Sequence, residues 1–134
     1  MNAEIIIDAT GGTLGRIAAF SAKQALLGKS IKIVNCNSVL ISGKKNDIVK
    51  KYSTLMSKGG NSLKGPKIPK TPERIMKRTI RGMLSHKQGR GSDAMKRIIC
   101  YNVLPSELES QEKTTMKRNL ITKSLTLKEV CKLI

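Results

Sequence analysis

Aromatic side chains are nearly missing from this chain: two Tyr, one Phe and no Trp among 134 residues. A platform that stacks single-stranded bases needs rings beneath them, so that mode of binding is disfavoured. A basic helix lying on a membrane also carries aromatics on its apolar side, and no apolar run approaches the roughly 18 residues that a spanning helix needs. Histidine is scarcer still, with His86 alone, which leaves little general-base chemistry to propose. Cys36, Cys100 and Cys131 are far apart and form no Cys-x-x-Cys pair, whereas a zinc site needs about four ligands at short spacing. No metal or cofactor is expected, and the cysteines read as reduced, structural residues of a cytosolic compartment. Met1-Asn2-Ala3-Glu4 has no positive n-region and runs straight into a strand-like segment, so no signal peptide is expected either.

Acidic residues are the remaining shortage. Nine Asp and Glu stand against 26 Lys and Arg, a formal net charge of +17 with an isoelectric point near 10.2. A free domain of this size does well with a net charge of about 2 to 8 in magnitude. A larger excess repels itself until a polyanion neutralises it, and nucleic acid is the usual polyanion. The hydrophobic share of 39% is close to that of ordinary globular proteins. A length of 134 residues suits one domain with one core.

The chain reads as α/β. Ile5-Ile6-Ile7 is a β-branched run that ends in the turn Asp8-Ala9-Thr10-Gly11-Gly12. Thr13 can cap a helix whose one face holds Leu14, Ile17, Ala18, Ser21 and Ala25, with Gly28 at its C-terminal end. Strands are predicted at 31–34 and 39–42, and the order strand, helix, strand predicts a right-handed crossover and a parallel sheet. A helix follows over 46–56 with Ile48, Val49, Tyr52 and Leu55 as its core stripe. A loop rich in Gly, Ser and Pro spans 57–69. Thr71-Pro72-Glu73 is a helix start, with Thr71 capping and Pro72 in the first turn, and that helix runs to about Leu84. Gly89-Arg90-Gly91 breaks the chain before a helix over 92–98 and a last strand over 99–103. From about 106 to 125 the chain reads as a polar, extended tail. Thr126 then caps a short terminal helix over 127–133.

Charge is concentrated in the middle. Residues 1–63 carry nine basic and three acidic groups, residues 64–97 eleven and two, residues 98–134 six and four. Arg74, Lys77, Arg78 and Arg81 follow an i, i+3, i+4, i+7 pattern and so share one helix face. Ile75, Met76, Thr79, Ile80, Met83 and Leu84 occupy the other. Like charges at this spacing repel by a few tenths of a kcal/mol per pair, and a polyanion reverses that effect. Arg suits the task because its planar fork donates two parallel hydrogen bonds to phosphate. A face kept only for solubility would mix signs. No helix-turn-helix, zinc-finger or basic-zipper pattern is present, which leaves recognition by phosphate and shape, as suits folded RNA. A chromatin-like DNA binder is the alternative.

Gly11-Gly12-Thr13-Leu14-Gly15 lies between strand and helix, where dinucleotide-binding enzymes keep a Gly-rich turn. The Gly-x-Gly-x-x-Gly spacing is not met, and position 35, where a ribose-binding acid belongs, is Asn35. Gly28-Lys29-Ser30 closes a helix instead of opening one, so it is no phosphate loop. Both read as structural turns, although the helix N-terminus could hold an RNA phosphate. Asp8, at a strand end without a carboxylate partner, reads as a brace for the turn.

Taken together, Ile7-Asp8-Ala9-Thr10, Leu14-Gly15-Arg16-Ile17-Ala18, Ile33-Val34-Asn35, Ile41-Ser42-Gly43 and above all Arg78-Thr79-Ile80-Arg81-Gly82-Met83-Leu84 resemble the ribosomal protein L thirteen family of the large subunit. Gly65-Pro66, Arg90-Gly91 and Ala94-Met95-Lys96-Arg97 followed by Tyr101 fit as well, and the resemblance spans about residues 4–105. The short chain and its terminal segment look like the archaeal form. The resemblance implies a three-layer α/β/α fold with a four-stranded parallel sheet. It implies a structural role in the large ribosomal subunit, in the cytoplasm, with large-subunit rRNA and neighbouring large-subunit ribosomal proteins as partners. It implies no small-molecule substrate and no catalysis. It implies RNA contacts by Arg74, Arg78, Arg81, Lys87, Arg90 and Arg97. Charge adds Lys64, Lys67, Lys70, Lys77, His86 and Lys96, with Arg16, Lys44 and Lys45 as secondary contacts. The family usually has Pro where this chain has Ser85, which leaves the turn carrying His86 and Lys87 less constrained.

Overall fold

The β-branched run at 5–7 becomes β1 (Glu4–Asp8) in a computed structural model of the chain, which describes residues 3–57, 70–117 and 122–134. Alternation divides the strand between two faces. Ile5 and Ile7 turn toward the main core, and Ile6 toward a smaller cluster with Val34 and Leu108. α1 (Leu14–Leu26) then returns the chain, burying Leu14, Ile17, Ala18, Ser21 and Ala25 as the spacing predicts, and Ala22 besides. Leu27 ends it, with Gly28 next at φ 94°. β2 (Ser30–Val34) runs parallel to β1, with Ile31 opposite Ile5 and Ile33 opposite Ile7.

β3 (Leu40–Ser42), α2 (Lys45–Ser57), α3 (Pro72–Gly82), α4 (Gly89–Lys96) and β4 (Ile98–Cys100) follow. β5 (Thr114–Thr115), β6 (Ser124–Thr126) and α5 (Leu127–Leu133) complete the described elements. The main sheet has the order β4-β2-β1-β5, all parallel. From β1 to β2 to β4 the chain steps one way across the sheet, and from β4 to β5 it steps back past β1. Right-handed crossovers in opposite directions leave their connections on opposite faces. α1, α3 and α4 therefore pack on one face, and the segment after β4, with a 3-10 turn at Ser106–Leu108, packs on the other. The fold is α/β in three layers, with the second outer layer the thinner.

The sheet has four parallel strands, but its membership differs from the sequence reading. The 39–42 segment forms β3, which pairs antiparallel with β6 in a separate two-stranded sheet. The fourth parallel strand is β5, inside the stretch that reads as a polar tail. Two exposed threonines carry no periodicity, so their pairing with Ile7 and Asp8 leaves no trace in the pattern. The tail is structured elsewhere too, in the 3-10 turn and β6. Gly89-Arg90-Gly91 does not break the chain but opens α4. α5 begins with the predicted cap, where Thr126 Oγ1 accepts from Glu129 N and Glu129 Oε2 accepts from Thr126 N.

Candidate nucleic-acid interface

α3 is the centre of the basic surface. Pro72, Ile75, Met76 and Ile80 are buried along one side. Arg74, Lys77 and Arg81 are exposed on the other, and Arg78 is half-buried between them. Leu84 is buried as the pattern predicts, whereas Met83 is 45% exposed because the helix ends at Gly82 and the chain turns there. Thr79 is half-buried and donates its hydroxyl proton to the Ile75 carbonyl at 2.9 Å. Thr71 occupies the cap position but makes no side-chain bond. Asn102 supplies the cap instead, its Oδ1 accepting from Glu73 N at 2.9 Å. A residue that follows β4 thus fixes where the basic helix begins.

Neighbouring helices extend the surface. A groove of about 410 Å³ lies between Thr13 and Gly15 at the start of α1, Ser42 of β3, Lys51 and Tyr52 of α2, and Arg78 of α3. Burial pushes the Tyr52 phenol above its ordinary value, against the pull of Arg78. A second groove, of about 420 Å³, has Lys23 of α1 on one side and Met83 and Arg90 on the other. Lys51 and Lys23 join the basic surface only through this packing. Several cations stand at helix starts: Arg16 in the first turn of α1, Lys44 and Lys45 at α2, Arg90 at α4, all exposed. The positive end of a helix dipole disfavours each by about 0.3–1 kcal/mol. An external anion would offset both the dipole and the mutual repulsion.

The turn after α3 is firmer than Ser85 in place of Pro suggests. Gln88 N donates to the Ser85 carbonyl at 2.9 Å, and Gly91 of α4 lies so close to Ser85 O that a Cβ would collide with it. His86 and Lys87 are exposed on this turn, as are Lys70 before α3 and Lys96 at the end of α4. Arg97 differs from the other predicted contacts. It is half-buried, and its Nη1 donates to the Ala25 carbonyl at 2.8 Å, closing the end of α1. Lys64, Lys67 and Gly65-Pro66, with the rest of 58–69, lie outside the described residues.

The glycine turn is closed. Gly11 N donates to Ser38 O, Gly12 N to Ala9 O, and Gly12 O accepts from Leu40 N. A Cβ on Gly12 would meet Ile17 Cδ1 at 2.6 Å and Met116 O at 3.1 Å. The Gly11 and Gly12 amides are thus committed within the turn, and Met116, just after β5, lies against Gly12. Asp8 braces this turn: Oδ1 accepts from Thr10 N at 3.1 Å, Thr10 Oγ1 at 2.8 Å and Asn35 Nδ2 at 3.1 Å. Asn35 reaches it from the left-handed conformation, φ 61°. Cys36, Cys100 and Cys131 are free thiols. Hydrogen bonding with Cys100, together with burial, pushes the Cys36 thiol far above its ordinary range.

Among the described residues the one ion pair joins Lys32 Nζ to Glu4 Oε1 at 2.7 Å. It stands on the sheet face away from α3, since Ile6, between Glu4 and Asp8, and Val34, two residues beyond Lys32, belong to the cluster on that side. The cations of α1, α3 and α4 have no acidic partner of this kind among the described residues.

Comparison with known proteins places these features in one family. The family model described as Ribosomal protein L13 matches residues 2–107. A protein of Methanosarcina barkeri named Large ribosomal subunit protein uL13 is 46% identical over 112 residues, covering 83% of this chain and 79% of its own. The protein of that name from Methanocaldococcus jannaschii is 42% identical over 130 residues, covering 95% and 94%. That of Picrophilus torridus is 38% identical over 134 residues, covering 97% and 96%.

Proposed function

The chain belongs to the ribosomal protein L13 family, and from that premise we propose that it is a structural, non-catalytic component of the large ribosomal subunit. It acts as a single RNA-binding domain in the cytoplasm, holding large-subunit rRNA against the outer surface of α1, α3 and α4 and steadying it during assembly. The observation that carries this reading is α3. Arg74, Lys77 and Arg81 point outward from a helix whose other side is locked into the core, and none of them forms an ion pair among the described residues. Arg78, Lys87, Arg90, Lys96 and Lys70 continue the contact surface, with Arg16, Lys44 and Lys45 at its margin and Lys23 and Lys51 in the grooves. His86 is a contact of the turn. Lys64 and Lys67 are contacts on charge alone. Arg97 holds the end of α1 and touches RNA only with its remaining donors.

Binding through phosphates fixes the test. Six to ten phosphate contacts lose roughly 10³ to 10⁵ in affinity between about 50 and 200 mM salt. Binding of the full chain to a large-subunit rRNA transcript should follow that slope. Replacing Arg74, Lys77 and Arg81 together by Gln should lower the slope by about three. A flat salt response, or a slope that the triple variant leaves unchanged, overturns the reading. Equal competition by duplex DNA would turn it into general polyanion binding.

A further inference from the structure

The sheet face away from α1 and α3 has a different chemistry and lies outside the proposed rRNA surface. Residues 98–112, which supply β4 and then cross this face, contain no Lys, Arg or His, and three acids, Glu107, Glu109 and Glu112, all exposed. Alternation along β4 turns Ile98 and Cys100 to the main core, while Tyr101 joins Ile6, Val34 and Leu108 on the second face. Ile99 shares that face and is 44% exposed; Val103, just beyond, is 63% exposed. β4 is an edge strand, with β2 on its inner side. The cation nearest Ile99 in the sheet, Lys32 in register with it, is engaged by Glu4 at 2.7 Å.

We infer that this face docks a basic polypeptide segment bearing apolar side chains, supplied by a neighbouring protein of the same particle. Exposed Ile99 and Val103 offer it an apolar seat, and Glu107 and Glu109 a complementary charge. RNA is the wrong occupant, because its phosphates would meet Glu107, Glu109 and Glu112, while of the nearby described cations Lys32 is paired with Glu4 and Lys113 donates to the Glu109 and Gln111 carbonyls. The inference rests on the ribosomal reading for where the partner is found. The charge and exposure of the face stand without it.

The test places the photo-crosslinking residue p-benzoylphenylalanine at Ile99, or at Lys77 as the opposite-face control, in the full chain assembled into large ribosomal subunits. Sedimentation before irradiation shows whether the chain enters the subunit. Failure to enter defeats the ribosomal reading, and this inference falls with it. In subunits that contain the chain, irradiation should join position 99 to a Lys- and Arg-bearing segment of another subunit protein, and position 77 to rRNA. Crosslinking of position 99 to rRNA, or to nothing, overturns the inference while leaving the ribosomal reading intact. Reversing the charge with Glu107→Lys and Glu109→Lys should cut the yield at position 99 about tenfold and leave position 77 unchanged, since like charges facing each other across an interface are strongly disfavoured. An unchanged yield at position 99 overturns the role of charge.

Discussion

α3 and the strip at 98–112 are close in sequence and opposite in character. α3 carries four cations and one acid over eleven residues and buries Ile75, Met76 and Ile80 beneath them. The strip carries no cation, exposes three acids and leaves Ile99 and Val103 in solvent. Charge kept for solubility needs only a net excess, and its placement is then free. Here the excess is sorted onto two faces of one sheet. Sorting of this kind is what two partners of different charge require, and it makes location more informative than the total of +17.

The comparison is broken most severely by removing what supports the basic side. Ile80 is fully buried beneath Arg78 and Arg81. Ile80→Ala should destabilise the isolated chain by about 2–5 kcal/mol through lost burial and a cavity. Lys77→Ala, on the same helix but exposed, should stay within about 0.5 kcal/mol. Denaturant unfolding measures both, and equal losses would mean that α3 is not divided into a core side and a binding side. Next comes Gly91→Ala. The added Cβ meets the Ser85 carbonyl, which belongs to the backbone and cannot swing aside, so a loss of about 1–3 kcal/mol is expected from overpacking. Because Lys87 and Arg90 flank that contact, rRNA affinity should fall as well. A variant with wild-type stability would show that α4 and the turn are not in close contact.

A smaller effect joins the two regions. Asn102, within the strip, caps α3 through Glu73 N. Asn102→Ala should lower stability by about 1 kcal/mol, as cap losses do, while Thr71→Ala should change it far less, since Thr71 makes no side-chain cap bond. If Thr71→Ala proves the costlier in unfolding experiments, the cap assignment is wrong.

That pair also marks the limit of what the sequence makes legible. Local signals identify the buried face of α1, the division of α3 and the cap at Thr126, because each depends on residues close in sequence. The basic face is legible for the same reason. What escapes is long-range. Asn102 is 29 residues from the amide it caps. β5 is two threonines whose only distinction is lying beside β1. Nothing local tells Leu40–Ser42 to pair with Ser124–Thr126 instead of joining the main sheet. Lys23 and Lys51 enter the basic surface only once α1 and α2 pack beside α3, and Arg97 commits one donor to the Ala25 carbonyl, 72 residues away in sequence. The Gly-Arg-Gly run reads as a break because glycine weakens helices, but at position 91 the absent Cβ is what lets α4 approach the turn.

The smallest expected effect concerns Asp8, at the C-terminal end of β1 where the two faces meet. Burial raises its carboxyl, but hydrogen bonds from Asn35 and Thr10 outweigh burial and hold it below the ordinary value of 3.8. A depressed folded value means that the folded state binds the proton less readily than the unfolded chain. The stabilisation is therefore fully present above 3.8 and is lost as pH falls through the lower folded value. Asp8→Asn keeps an acceptor oxygen but removes the titration. The stability difference between wild type and Asp8→Asn should be constant from neutral pH down to about 5 and shrink as the solution becomes more acidic. Taking the difference cancels the other carboxylates that titrate there. A difference that does not change with pH would mean the three hydrogen bonds serve the oxygen and not its charge. Asp8 would then brace the turn between the two faces by geometry alone.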